Sequence, residues 1–216
     1  MPVLVEALTI GFGPLTIIES LTCRFETGVL TALTGPSGSG KTSLLEVLAG
    51  LAIPRRGVVT LNGSRIDSSQ IAWVPQGANA LGARTALDNV RIAPLSDGLS
   101  PEIATAIALE RLEQVGLASQ RSAIARTLSG GELQRLAFAR AMASSRPLVL
   151  ADEPTANLDT RSAREVTRLL QRLSTQRTMI VATHDQELVL AAAKVVNLRP
   201  SATESRVMHG AKTNSD

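Results

Sequence analysis

Tyrosine is absent from this chain, and aromatic residues of all kinds make up 2% of its 216 residues. A platform that stacks nucleic-acid bases needs such rings, so no nucleic-acid partner is expected. Cysteine is nearly absent too. Cys23 stands alone, which excludes an internal disulfide and suits a reducing cytosol. Neither sign of charge dominates: 22 basic residues against 19 acidic ones leave a net charge of +3. The arginines are scattered through stretches such as "RSAREVTRLLQR", as solvated helix faces require. Long apolar runs are missing. The longest, "LVLAAAKVVNL" at 188–198, is too short to span a bilayer and is broken by Lys194. The opening "MPVLVEALTIGFG" has no basic start and no cleavage site, so no secretory signal is expected. If this protein serves a membrane, it does so from outside the lipid.

Hydrophobic residues form 44% of the chain, enough for one globular domain that buries most of its apolar surface. "VLVEALTI" and "LTIIESLTCRF" read as strands punctuated by "GFGP", and "GVLTALT" at 28–34 as a short strand feeding a glycine-rich loop. "KTSLLEVLAG" reads as a helix closed by Gly50, with Leu44, Leu45 and Leu48 on one face. "GVVTLNGSRI" turns at Asn62-Gly63 as a hairpin, and "QIAWVPQ" is a buried strand with Trp73 in the core. From about 84 to 145 the pattern is helical, with "TALDNVRI" and then a helix capped by Ser100, opened by Pro101 and closed by Gly116. A third helix starts at Gly130. Strands "PLVLAD", "TMIVAT" and "KVVNL" then alternate with helices "TRSAREVTRLLQRL" and "DQELVLAAA", which predicts an α/β fold with a parallel sheet. Residues 201–216 read as a flexible polar tail.

Two stretches suit an anion. "GPSGSGKTS" places Gly35, Pro36, Ser37, Gly38, Ser39, Gly40, Lys41, Thr42 and Ser43 between a predicted strand and a predicted helix. Its glycines let successive backbone N–H groups face phosphate oxygens, and the helix start adds a field worth roughly 0.3–1 kcal/mol. Lys41 would bridge terminal phosphates and Thr42 would ligate Mg²⁺. The second stretch is "TLSGGELQR" at 127–135, where Ser129, Gly130 and Gly131 open a helix. Two acids end the apolar strand in "LVLADEP" at 148–154: Asp152 can hold the magnesium shell, and Glu153 can poise a water as general base. His184 ends the next strand, within reach of a γ-phosphate or the attacking water. Gln76, after "IAWVP", offers an amide to Mg²⁺ or water.

In this order, these motifs resemble the nucleotide-binding subunit of ATP-binding-cassette (ABC) transporters from about residue 3 to 198. The Walker A loop is 35–42, the Q-loop residue Gln76, the signature "LSGGE" 128–132, Walker B 148–152 with Glu153, the D-loop "NLD" 157–159 and the switch His184. The resemblance implies a P-loop ABC-ATPase fold: a RecA-like parallel core, an antiparallel β subdomain and an inserted helical subdomain at about 84–145, all within a single domain of residues 1–200. It implies ATP and Mg²⁺ as cofactors, ATP hydrolysis, and a second ABC ATPase subunit, as in a homodimer. Ser129, Gly130 and Gly131 of one subunit would then grip the γ-phosphate held by the other, with Asp159 in the D-loop beside them. It also implies separate transmembrane permease subunits and a peripheral place on the cytoplasmic face of the membrane. The family carries an adenine-stacking aromatic at the distance of Phe12, for which plain strand packing is the alternative.

"LADEPTANLD" looks most like the ATPases of lipoprotein-release, macrolide-efflux and cell-division complexes, implying a mechanotransmission-type exporter of haem, drug, peptide or lipoprotein. A soluble ATPase of the iron–sulfur-assembly type and the ATPase of a solute importer are the alternatives. "GANALGARTALDNV" at 77–90 is either the permease-facing surface or an ordinary loop.

Overall fold

The computed structural model describes residues 1–77 and 79–199; the polar tail expected at 201–216 lies outside them. Nine strands and six α-helices are present among the described residues. They form two sheets of different kinds.

The first sheet is antiparallel, in the order β2-β1-β4-β5: β1 is Val3–Phe12, β2 Leu15–Phe25, β4 Arg56–Leu61 and β5 Ser64–Arg65. In β1, Val3 and Val5 are buried, then Leu8 and Ile10, so the inward parity changes midway. A bulge makes that change. Ala7 has φ +47° and the register with β2 shifts between Val5 and Leu8. The displaced N–H groups find hydroxyls: Ala7 N–H donates to Thr22 Oγ1 at 3.0 Å and Ser20 N–H to Thr9 Oγ1 at 3.2 Å. The Asn62-Gly63 turn between β4 and β5 has φ +52° and +82°, the double left-handed geometry of a tight hairpin.

The second sheet is parallel, in the order β6-β7-β8-β3-β9, with β3 Leu30–Thr34, β6 Ile71–Val74, β7 Leu148–Asp152, β8 Thr178–Ala182 and β9 Lys194–Asn197. Every residue of β7 and β8 is buried, because both faces are covered and neither can be polar. Leu148, Leu150 and Ile180 face a core shared with α1 (Lys41–Leu48) and the antiparallel sheet. Val149, Ala151, Met179 and Val181 face the opposite core, shared with α4 (Gly130–Ala143) and α5 (Thr160–Ser174). Helix α6 is Gln186–Ala191.

Helices α2 (Ala86–Ser96) and α3 (Pro101–Gln114) pack on each other and on α4. Helix α2 runs past the predicted "TALDNVRI" and keeps Pro94 in its last turns. Trp73 packs against the core shared with α1 and the antiparallel sheet while staying partly exposed, and it borders a small cavity with Arg140 and Arg146.

Candidate active site

The parallel sheet decides which residues meet. β3 delivers the chain into the glycine-rich loop, and β7 and β8 end alongside it. In the loop, Gly40 has φ +89°, and a Cβ there would stand 2.6 Å from Ile17 Cγ2, so β2 leaves room only for glycine. A Cβ on Gly38 would meet nothing within 4 Å; that side of the loop opens outward. Lys41 Nζ donates to the carbonyl oxygens of Gly35 (2.9 Å) and Pro36 (3.2 Å), arching over the loop's own backbone. Ser39 is buried, and its hydroxyl has no partner among the described residues.

Thr42 Oγ1 donates to Asp152 Oδ2 at 3.0 Å, joining the start of α1 to the end of β7. Burial pushes the Asp152 carboxyl upward, with the neighbouring Glu153 charge adding to the rise; the Thr42 hydrogen bond and the Lys41 charge oppose it. Glu153 follows with φ +46°, a left-handed conformation unusual for a non-glycine residue, and its N–H donates to the Ala182 carbonyl at 2.9 Å. That turn aims its carboxylate at His184. His184 N–H donates to Glu153 Oε2 at 3.3 Å, and His184 Nδ1 lies 2.8 Å from the same oxygen.

The glycine loop, Gln76, Asp152, Glu153 and His184 line one cleft of about 380 Å³. Ile17 lines it as well, a contact that its strand pattern did not foretell. The other expected site residues lie elsewhere. Phe12, at the end of β1, is 58% exposed, so it does not pack into the strand's core. Ser129 caps α4 reciprocally with Glu132: the Ser129 N–H donates to Glu132 Oε2 at 2.8 Å, and Glu132 N–H to Ser129 Oγ at 3.4 Å. The Ser129 N–H, and the Ser129 hydroxyl donating to the same oxygen at 2.8 Å, hold the Glu132 carboxyl below its ordinary range. Asp159 caps α5, accepting from Ser162 N–H (3.0 Å) and Ser162 Oγ–H (2.7 Å). A Cβ at Gly131 would stand 2.8 Å from Ser162 Cβ, and one at Gly130 would stand 3.3 Å from Leu158 Cδ2. The Ser-Gly-Gly turn is therefore seated against the start of its own α5 and does not line its own chain's cleft. A second hollow of about 440 Å³ lies between Gly77, Asn79, Ala80 and Gly82, the start of α4 and Ala156–Leu158, but among the described residues no pair of acids converges on it.

A glycine loop between a parallel strand and a helix, facing a buried aspartate and a glutamate at the end of β7, one strand removed from β3, defines a P-loop nucleoside triphosphatase. The ABC transporter profile matches residues 18–156. The lipoprotein-releasing system ATP-binding protein LolD 1 of Rhodopirellula baltica is 35% identical over 189 residues, 82% of each chain. The iron(III) import ATP-binding protein FbpC of Rhizobium etli is 38% identical over 192 residues, 85% of this chain and 54% of its own. The dimeric structure of the ABC transporter cassette MJ0796 superposes with a TM-score of 0.78 at 28% identity, covering 91% of this chain and 94% of that one. The chain belongs to the ABC transporter family, as an ATP-binding cassette that hydrolyses ATP to power a transporter.

Proposed function

We propose that two copies of this chain form a head-to-tail ATP sandwich that drives a membrane exporter of the mechanotransmission type. The observation carrying this reading is the separation of the two anion grips. One cleft holds Lys41, Thr42, Gln76, Asp152, Glu153 and His184, whereas the Ser129–Gly131 turn is outside it. The first N–H groups of a helix have no intrahelical acceptor and carry the positive end of its dipole. Those of Gly130 and Gly131 grip the γ-phosphate bound in the partner's cleft, and Asp159 holds the turn beside the seam.

Within each cleft the backbone of Gly35–Ser43 cradles the phosphates. Lys41 exchanges its two carbonyl acceptors for phosphate oxygens. The paired oxygens of Thr42 and Asp152, with the Gln76 amide, suit a hard cation such as Mg²⁺. Magnesium, when bound, neutralises phosphate charge. Glu153 takes the proton of the attacking water, and His184 orients that carboxylate. Phe12 stacks on adenine. Residues 1–200 act as one domain, with the helical part at about 84–145 turned to the permease. No helix among the described residues is long and apolar enough to cross a membrane; the cassette works peripherally, on the cytoplasmic face, through separate membrane-spanning subunits.

Export is supported by "LADEPTANLD" together with the likeness to a lipoprotein-releasing ATPase. Because an iron importer's ATPase is equally similar, the membrane partner is the deciding observation. Co-purification of a permease with four spans and a large external domain supports export of haem, drug, peptide or lipoprotein. A permease fed by a separate solute-binding protein overturns it.

The sandwich is tested by cross-linking. In a chain carrying Cys23→Ser and Glu153→Gln, Ser37→Cys and Thr127→Cys are joined by a short bismaleimide in ATP-Mg²⁺. A covalent dimer that appears only with nucleotide is the expected result. Exclusively intramolecular product refutes the arrangement.

A further inference from the structure

The loop from α1 to β4 returns across the β1–β2 hairpin and places Arg55 on it. Arg55 N–H donates to the Thr9 carbonyl of β1 at 2.8 Å. Its guanidinium donates through Nη1 to Thr16 Oγ1 of β2 at 3.1 Å, and through Nη2 to the carbonyl of Gly13 in the turn. It also lies against the backbone of β1: a Cβ on Gly11 would stand 2.8 Å from Arg55 Cζ. One residue thus binds both strands and the turn between them. A lysine could not, because it lacks a planar fork with several fixed donors.

The turn so held carries Phe12, more than half exposed, with no core contact to fix it. Two residues beyond Leu15, its partner across the hairpin, β2 reaches Ile17, which lines the phosphate cleft beside Gly40. At strand rise this is roughly 7 Å, so the hairpin tip stands at the rim of the cleft.

We propose that Arg55 is the positioning residue of the nucleobase site, resting on the reading of Phe12 given above. It touches no nucleotide itself. It locks the hairpin so that the Phe12 ring is pre-placed for stacking, and ATP does not have to order that segment on binding.

The experiment titrates the full chain in EDTA, which stops hydrolysis, with ATP and separately with inorganic tripolyphosphate. Arg55→Met weakens ATP binding about tenfold, within the range for loss of one stacking contact, and tripolyphosphate binding less than twofold. Phe12→Ala does the same, and adding Arg55→Met to Phe12→Ala costs less than a further twofold. In turnover, Arg55→Met raises the KM for ATP with kcat changed less than twofold. Thr16→Val, which removes one of the anchors, gives a smaller shift of the same kind should Arg55→Met fail to fold. Equal weakening of both ligands, or no weakening of ATP, overturns the proposal. If Phe12→Ala weakens ATP and neither Arg55→Met nor Thr16→Val does, the Arg55 role alone falls. If Phe12→Ala is also silent, the reading of Phe12 falls and takes this inference with it.

Discussion

The Glu153 carboxylate is paired with the ring of His184 at 2.8 Å, the glutamate side chain 15% exposed and the histidine 74% exposed. A carboxylate that is nearly sheltered is thus held by a group that reaches into solvent. The pair joins the end of β7 to the end of β8, and it depends on the left-handed turn at Glu153.

Replacing Glu153 by glutamine keeps the shape and removes the proton acceptor. ATP binding is expected to persist, hydrolysis to fall at least about a hundredfold, and a nucleotide-bound dimer to accumulate. Gel filtration with light scattering in saturating ATP-Mg²⁺ measures this. A monomer under those conditions contradicts it.

Gly131→Ala forces a methyl group to within 2.8 Å of Ser162 at the start of α5. Such overpacking costs about 1–3 kcal/mol, and it shifts the turn whose N–H groups are proposed to grip the phosphate. Where that strain is relieved by displacing these N–H groups, ATPase activity is expected to fall at least about fivefold, since about 1.4 kcal/mol is a tenfold factor. Ser162→Gly, which clears the space, should restore part of it, whereas Ser162→Ala keeps the Cβ and should not. Steady-state rates of the two double variants decide the point.

Arg177 performs a purely structural task that its sequence context does not announce. Its guanidinium donates to the carbonyls of Ala141 (3.4 Å), Met142 (3.0 Å), Ser144 (2.7 Å) and Arg146 (2.9 Å), at and just past the C-terminal end of α4. It supplies donors and positive charge where the helix has free carbonyls and a negative dipole end. Arg177→Met should destabilise the protein by about 3 kcal/mol. For a chain of this length the melting temperature should then drop by roughly 6–12 °C, read by circular dichroism. A change under about 2 °C would remove Arg177 from this role.

Cys23 has its thiol pushed up to about 11 from an ordinary 9.0, by burial, against a smaller opposing pull from the Lys194 charge. The native chain therefore keeps this proton after the unfolded chain has lost it. Stability should fall as pH rises from 9 towards 11, and alkylation by iodoacetamide should climb about tenfold per pH unit through that window. Denaturant at pH 9 should make labelling fast. Rapid labelling of the native protein at pH 7.5 would show that the thiol is not sheltered.

Much of the fold was readable because local rules and tertiary demands agree. Ser100, Pro101 and Gly116 bound α3 as caps should, Asn62-Gly63 turns its hairpin, and the unbroken apolar runs of β7 and β8 are the strands buried on both faces. The bulge at Ala7 was not readable. Nothing local says that the inward parity will change between Val5 and Leu8; only the packing of both pairs into one core requires it. Trp73 does pack against the core, as its apolar context suggests, but how much of its ring neighbouring elements cover is a tertiary matter that apolar patterning does not encode.

The sequence by itself determined the chemistry available: a glycine loop with Lys41 and Thr42, two acids after an apolar strand, and a Ser-Gly-Gly helix start. These follow from residue types at short spacing, where backbone geometry leaves little choice. Tertiary structure alone decided the company each group keeps. It brought Thr42 to Asp152 across 110 residues and His184 to Glu153 across 31, and it seated the Ser-Gly-Gly turn against Ser162, outside its own cleft. Contacts at such separations are set by strand order and by which faces must be buried together, and no local pattern carries that information.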